Sequence, residues 1–292
     1  MIILENFVSI NNENGETPIW VEEDNQLYWV DAAKGYIFKY ADNDLGYIKY
    51  EPKYQARALV RRGDKGWVIV TNSNGIAFWD EQSNQCELIV DPYENDDDMG
   101  FNDATADRQG RLLVNSFRYS QLDAADGSIY SLEPDLSFRK IDTGLKLPNG
   151  MGFSPDGKKL YVAEMFNGVL LAYDYDTRTG DISNRQIFAE IPSEKGFPDG
   201  LIVDAEGYVW TGHWGGWQVT RFSPNGDIDQ EIKIPVEIAS CMGFGGKDLN
   251  ELFITTAWKS LSEEQRKEQP EAGDLFKIKL DIKGIPEAKF KG

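Results

Sequence analysis

The chain has 292 residues, of which 41% are hydrophobic and 12% aromatic, enough to bury a core and too apolar for a disordered segment. Its formal net charge of −19 repels phosphate backbones and anionic bilayers, so neither nucleic acid nor a membrane is an expected partner. The two cysteines, Cys86 and Cys241, lie too far apart in sequence for a CxxC pair, which argues against a disulfide scaffold and a thiolate zinc site; both are read as buried apolar fillers.

The start, Met1-Ile2-Ile3-Leu4-Glu5, meets an acid at once, and no apolar run reaches membrane-spanning length, so a cytoplasmic location is expected. Residues 2–8 read as a first strand. One unit then recurs: a turn containing Asp, Asn or Gly, followed by a β-rich pentamer. Asp24-Asn25 precedes residues 27–31, Asp64-Lys65-Gly66 precedes 67–71, and Gln109-Gly110 precedes 112–116. Asp156-Gly157 precedes 160–164, Glu206-Gly207 precedes 209–213, and Lys247-Asp248 precedes 252–256. Six units in this length give about 49 residues each, the size of a propeller blade. Residues 35–40 and 169–174 continue as third strands, and 137–141 as a fourth. The expected fold is all-β: one domain over 1–292, a six-bladed β-propeller with four antiparallel strands per blade. Closing the ring protects the sheet edges, so residues 2–8 are expected to complete the last blade. Two insertions interrupt the pattern. The acidic stretch at 92–98 reads as a solvated loop rather than a cation site. Residues 260–269 read as a short surface helix with a serine N-cap, ended by Pro270.

Polar motifs recur at matching places in these units. Phe101-Asn102-Asp103, Pro148-Asn149-Gly150 and Pro198-Asp199-Gly200 place Asn102, Asn149 and Asp199 at intervals of 47 and 50 residues. Gly15-Glu16-Thr17-Pro18 holds the same place in the first unit. Equivalent positions of successive blades converge on the propeller axis, so Glu16, Asn102, Asn149 and Asp199 are expected to face one point. They are hard oxygen donors of the kind a calcium-like cation prefers. The three single-site motifs are expected just before the innermost strand of each blade. The second strand returns antiparallel, so Asp31, Ser116, Glu164, His213 and Thr256 are expected around the same mouth.

In order and spacing the chain resembles the gluconolactonase, senescence-marker-protein and luciferin-regenerating-enzyme family of six-bladed propellers. The segments that carry the resemblance are Gly15-Glu16-Thr17-Pro18-Ile19-Trp20, Asn102-Asp103-Ala104-Thr105-Ala106-Asp107, Pro148-Asn149-Gly150-Met151, Pro198-Asp199-Gly200, Asp204-Ala205-Glu206-Gly207 and His213-Trp214-Gly215-Gly216-Trp217. The resemblance implies one divalent cation on Glu16, Asn149 and Asp199, calcium first, with magnesium, manganese or zinc as alternatives. It implies hydrolysis of a sugar-acid lactone, with Asp199 as general base and Asn102 close by, binding substrate or reaching the metal through water. The chemistry is coherent, because a dication polarises the carbonyl and a carboxylate can deprotonate the attacking water.

The substrate shell departs from the family pattern. Gly100 stands where animal members of the family carry Arg, and Ser120 where the family carries Glu. Arg57, Arg118, Glu164 and His213 are therefore the candidates for substrate contacts. Trp214 and Trp217 are read as packing residues in preference to sugar-stacking ones. A monomer acting on a small lactone is expected. Two other functions stay open: a phosphotriesterase-like hydrolase using a similar donor set, and a non-catalytic calcium-binding propeller.

Overall fold

A computed structural model describes residues 3–63, 66–71 and 75–292. Among them, 24 strands form six separate four-stranded antiparallel sheets arranged as the blades of a propeller. Blades 1 to 5 are contiguous runs of chain, beginning at Gly15, Ala56, Met99, Pro148 and Phe197. Blade 6 combines Ala239–Gly245, Glu251–Thr256 and Leu275–Lys279 with Leu4–Val8, which pairs antiparallel with Leu275–Lys279 and closes the ring as expected. Ile2 of the expected first strand, and Asp64 and Lys65 of the second turn, lie outside the described residues.

Burial grades outward from the axis. The second strand of blade 2, Trp67–Thr71, is buried at every position because neighbouring blades cover both of its faces. The outermost strand of blade 4, Ile182–Glu190, is mostly exposed. Trp29, Trp79 and Trp210 are fully buried within the apolar clusters of the blades, and burying a side chain of this kind stabilises by about 1.5–3 kcal/mol. Cys241 fits the expected buried filler, but Cys86 is half-exposed. It lies on an outermost strand, Gln85–Val90, which has solvent along one side.

The innermost strands position the site. They are Gly15–Val21, Ala56–Arg61, Met99–Ala106, Pro148–Phe153, Phe197–Val203 and Ala239–Gly245. Each loses register against its neighbour at one place: Glu16/Ile19, Ala56/Ala58, Phe101/Ala104, Pro148/Met151, Pro198/Leu201 and Ala239/Cys241. Such a bulge leaves residues out of the ladder and turns their side chains. Arg57, Asn102, Asn149, Asp199 and Ser240 all sit in these interruptions, and Glu16 borders one. The polar motifs thus lie inside the innermost strands, not before them. The glycines of Asn149-Gly150 and Asp199-Gly200 serve close approach at the axis, not turns. A Cβ on Gly150 would lie 1.9 Å from the Leu201 nitrogen, and one on Gly200 would lie 2.6 Å from the Cys241 Cα.

The other end of the axis is covered by the C-terminal segment. Ala205 N donates to Lys283 O (2.9 Å) and Gly284 N to Leu249 O (2.7 Å), on blades 5 and 6. Phe290 N then donates to Arg61 O (2.8 Å) and Lys291 N to Gly110 O (3.0 Å), on blades 2 and 3. Phe290 is fully buried against Phe78.

The expected helix spans Glu263–Glu268, where Ser262 and Gln265 form a reciprocal capping box. No helix among the described residues is long and apolar enough to cross a membrane.

Candidate active site and cation centre

The bulged ends of the inner strands open into a cavity of about 420 Å³. Glu16, Arg57, Asn102, Asn149 and Asp199 all line it, so five residues singled out in the sequence meet in one place. Strand ends and the connections between strands add the rest of the wall. Leu122, Leu147, Met165, Phe166, Phe197 and Trp214, from blades 3 to 5, make an apolar side. Asn14, Lys259 and Ser260, from blades 1 and 6, extend the polar side.

The polar floor is tightly connected. Arg57 donates twice to Asn102 Oδ1, from Nε (2.8 Å) and from a terminal nitrogen (2.6 Å). Asn102 Nδ2 donates to Pro148 O (3.0 Å), which links blades 2, 3 and 4 around the axis. Asn115 Nδ2 donates to Asn149 O (2.6 Å), and its Oδ1 accepts from Asp103 N (3.0 Å). Asn149 Nδ2 donates to Asp199 Oδ1. The second oxygen, Asp199 Oδ2, is buried with no hydrogen-bond partner among the described residues. A buried carboxylate oxygen left this way is costly unless something else satisfies it.

The electrostatics agree. Burial pushes Asp199 well above the ordinary carboxylate range, and the charge of Asp103 adds to that; Arg57 and the Asn149 bond oppose it. Burial likewise raises Glu16, reinforced by Asp199 and Asp103 and opposed by Arg57 and Lys259. Glu16 and Asp103 keep some accessible surface toward the interior spaces, yet both are enclosed by protein. Asp103 is raised to about 6 by burial, against the hydrogen bond from Ala104 N and the charge of Arg57. Three carboxylates crowd a region with two side-chain cations.

A divalent cation fits this donor chemistry. Among the described residues no three His, Cys, Asp or Glu side chains cluster closely enough to hold an ion by themselves. The available set is instead two carboxylates with carboxamide oxygens, hard donors suited to calcium or magnesium and poorly suited to a thiolate-loving metal. Asn102 has its oxygen committed to Arg57, which leaves Glu16, Asn149 and Asp199 as the candidate ligands.

Three expected substrate residues lie elsewhere. Arg118 is held by Asp98 (2.9 Å) and Asp126 (2.6 Å), and Asp98 also binds the Ser120 amide (2.8 Å) and hydroxyl (2.6 Å). The acidic stretch at 92–98 thus pins Arg118 and Ser120 outside the cavity. Glu164 is 1% exposed and accepts from the amides of Lys146 (3.2 Å) and Leu147 (3.1 Å) and from Asn167. His213 is also buried; its ring donates from Nδ1 to Lys195 O (2.8 Å), and burial lowers its pKa, so the imidazole is neutral.

The ring of second-strand ends therefore exists at the expected end of the blades but serves as bracing. Asp31 accepts from the amides of Glu13 (2.9 Å) and Asn14 (3.2 Å), and Thr256 donates to Asp274 O (2.6 Å). Ser116 accepts from the Tyr93 hydroxyl (2.9 Å). Second strands stand one strand spacing, about 4.8 Å, further from the axis, so their polar ends meet the loops leading into the strands before they meet a ligand. Trp214 packs against two apolar clusters as expected while also lining the cavity, whereas Trp217 is 41% exposed and is not the packing residue expected. The loop contributors Lys259, Ser260, Asn14 and Leu122 had no motif of their own; the position of Lys259 just beyond the second strand of blade 6 was the one available signal.

Fold and site together define a six-bladed propeller with an axial cluster of carboxylate and carboxamide groups at one mouth. The chain belongs to the SMP-30/Gluconolactonase/LRE-like family, whose characteristic region matches residues 14–258. It is 32% identical to regucalcin of Danio rerio over 295 residues, covering 100% of this chain and 99% of that protein. It is 31% identical to pentonolactonase XacC of Haloferax volcanii over 279 residues, covering 94% and 93%. Its fold is similar to that of a calcium-binding protein, regucalcin, from Agrobacterium tumefaciens (TM-score 0.91, 22% identity, 97% and 96% coverage).

Proposed function

We propose that this chain hydrolyses the ring ester of a sugar-acid lactone, with Asp199 as the general base, in a site that binds one divalent cation, calcium first. The observation that carries this reading is Asp199 itself: one carboxylate oxygen is fixed by Asn149 and the other is buried and unpartnered at the axis. Membership of a family that includes a pentonolactonase supports the substrate class.

The chain's own residues divide the work. Glu16, Asn149 and Asp199 would hold the cation, which when bound polarises a lactone carbonyl and favours the oxyanion that grows there. Water adds to the carbonyl carbon and gives a proton to Asp199. The ring C–O bond then breaks, the proton passes to the departing alkoxide, and the product is the open hydroxy acid. Asn102 keeps its Nδ2 on Pro148 O and its oxygen on Arg57, so it orients the Arg57 guanidinium toward the cavity. The apolar wall of Phe166, Phe197 and Trp214 offers surfaces for the C–H face of a sugar ring and excludes water. Each sheet is internally complete and the ring is closed, so a monomer in the cytoplasm suffices for this activity.

The apolar half of the cavity also suits a phosphotriester, which makes phosphotriesterase activity the second reading. Acid release from a panel of aldonolactones and organophosphate esters, with calcium and after chelation, tests both. Cation-dependent opening of lactones supports the first, and turnover confined to phosphotriesters favours the second. Tight calcium binding without turnover of any ester would leave a binding propeller and defeat both.

A further inference from the structure

The polar side of the cavity contains a cation that the hydrolytic scheme does not use. Lys259 lines the cavity from the loop after Glu251–Thr256, and among the described residues its ammonium makes no ion pair. Its neighbourhood explains why. Glu13, whose carbonyl oxygen accepts from the Lys259 amide, has its carboxylate taken by Lys34 at 2.5 Å. Asp31 is spent on the amides of Glu13, Asn14, Ala33 and Lys34. Glu16 belongs to the cation centre.

The position is built rather than incidental. The amides of Trp258 and Lys259 both donate to Glu13 O (3.2 and 3.0 Å), and the Trp258 indole donates to Asn11 O (3.1 Å). These bonds lock the base of the Lys259 side chain against blade 1. Burial lowers the Lys259 pKa, and the like charge of Arg57, which lines the same cavity, adds to that. Two cations are thus held toward one space. On the same side Asn14 lines the cavity at 5% exposure, and its buried Oδ1 has no hydrogen-bond partner among the described residues. That oxygen can accept from a hydroxyl.

We propose that the blade 6 and blade 1 side of the cavity is an anion subsite, with Lys259 as its charged anchor and Asn14 as its hydroxyl acceptor, and that the substrate is a hydroxylated lactone bearing a second, anionic group. This deepens, and rests on, the lactonase reading. The anion is a carboxylate, as in a lactone of a sugar diacid, or a phosphate on the terminal carbon of an aldonolactone. Lys259 suits either, because an ammonium is a compact point charge without the planar fork that selects one oxyanion geometry.

Two measurements test it, the first independent of turnover. In the first, calorimetry on the calcium-loaded protein compares an open-chain sugar diacid with the monoacid of the same length. The diacid is expected to bind at least about tenfold tighter, the scale of one charge-assisted hydrogen bond, with that advantage lost in Lys259→Gln and largely kept in Lys259→Arg. In the second, kcat/KM is measured for a diacid lactone, a phosphorylated aldonolactone and a neutral aldonolactone. The ratio of anionic to neutral substrate is expected to fall about tenfold or more in Lys259→Gln, and the larger fall identifies carboxylate or phosphate. Diacid preference without any lactone turnover would sink the hydrolytic reading and leave the subsite standing. Equal losses on anionic and neutral lactones, or no diacid preference in the wild type, would overturn the subsite while leaving lactone hydrolysis intact.

Discussion

At the mouth of the propeller the inner strands break their ladders, whereas toward the opposite end they run in register until the C-terminal segment covers them. The same six strands supply both ends. At the mouth, each interruption exposes one or two polar residues to the axis, and the result is a cluster containing an unpartnered buried carboxylate oxygen. At the covered end, Ala104, Ala106, Val60 and Phe290 pack into one apolar cluster, and the crossing segment bonds to turns of blades 2, 3, 5 and 6. The difference teaches that one strand can be divided by a single bulge into a stabilising half and a reactive half. Unmet bonding capacity at the mouth is what a ligand can satisfy; met capacity at the other end is what keeps the mouth in place.

The sharpest way to break this comparison is Asp199→Asn. It removes the proposed base and one ligand charge while keeping the side chain's shape. Turnover of the best lactone should fall about 10²–10⁴-fold, the usual contribution of a positioned base, with the near-ultraviolet circular dichroism unchanged. Wild-type rates in this variant would show that another group activates the water. The counterpart at the covered end is Phe290→Ala. Deleting a fully buried phenylalanine typically costs about 3–5 kcal/mol, so the urea midpoint should drop strongly. The folded fraction should still turn over substrate at the parental kcat. A Phe290→Ala protein with normal stability but damaged catalysis would mean the two halves are not separable.

Much of this was legible in the sequence. The six β-rich pentamers correspond to the second strands of the six blades, because strands buried on both faces read as short apolar runs. Glu16, Asn102, Asn149 and Asp199 were found because repeat spacing places equivalent residues at one axis. What could not be read was the bulge. Asn-Gly and Asp-Gly look like turn dipeptides in sequence, and only the close approach of Gly150 to Leu201 and of Gly200 to Cys241 shows that they belong inside strands. Glu164 and His213 stand at second-strand ends and Arg118 stands beside Ser120, so all three are expected near the ligand by position. Their strand position was right, but the sequence does not reveal that Asp98, the amides of Lys146 and Leu147, and Lys195 O reach them first. Leu122, Leu147, Lys259 and Ser260 of the cavity wall come from loops, whose paths carry no periodicity.

A smaller effect sharpens the contrast through pH. Asp103 is raised from 3.8 to about 6 in the folded protein, and Glu16 and Asp199 are raised in the same direction. Below the unfolded value, folded and unfolded chains are both protonated and the groups cost nothing. Between the unfolded and folded values the unfolded chain has released protons that the folded chain still holds, so stability falls as pH rises. Chelated protein should therefore melt at a higher temperature near pH 5 than near pH 8. Calcium should raise the melting temperature more at the higher pH, where the carboxylates it would neutralise are ionised. A calcium shift of equal size at both values would argue that Glu16 and Asp199 do not bind the ion.

The smallest effect is expected at Arg118, and it tests whether the cavity boundary is drawn correctly. The Arg118 guanidinium is engaged by Asp98 and Asp126 on the outer side of the mouth, and those carboxylates remain largely solvated. Exposed pairs of this kind contribute little, because water competes for both charges. Arg118→Ala should leave kcat/KM within about twofold for neutral and anionic lactones alike, a change too small to reflect a lost substrate contact. Asp98, however, also holds the amide and hydroxyl of Ser120, two residues before the cavity-lining Leu122. Asp98→Ala should thus disturb the wall more than Arg118→Ala does, raising KM with little change in kcat. Should Arg118→Ala be the more damaging of the two, the guanidinium must leave its carboxylates to meet the substrate, and the polar side of the site would extend to the end of the second strand of blade 3.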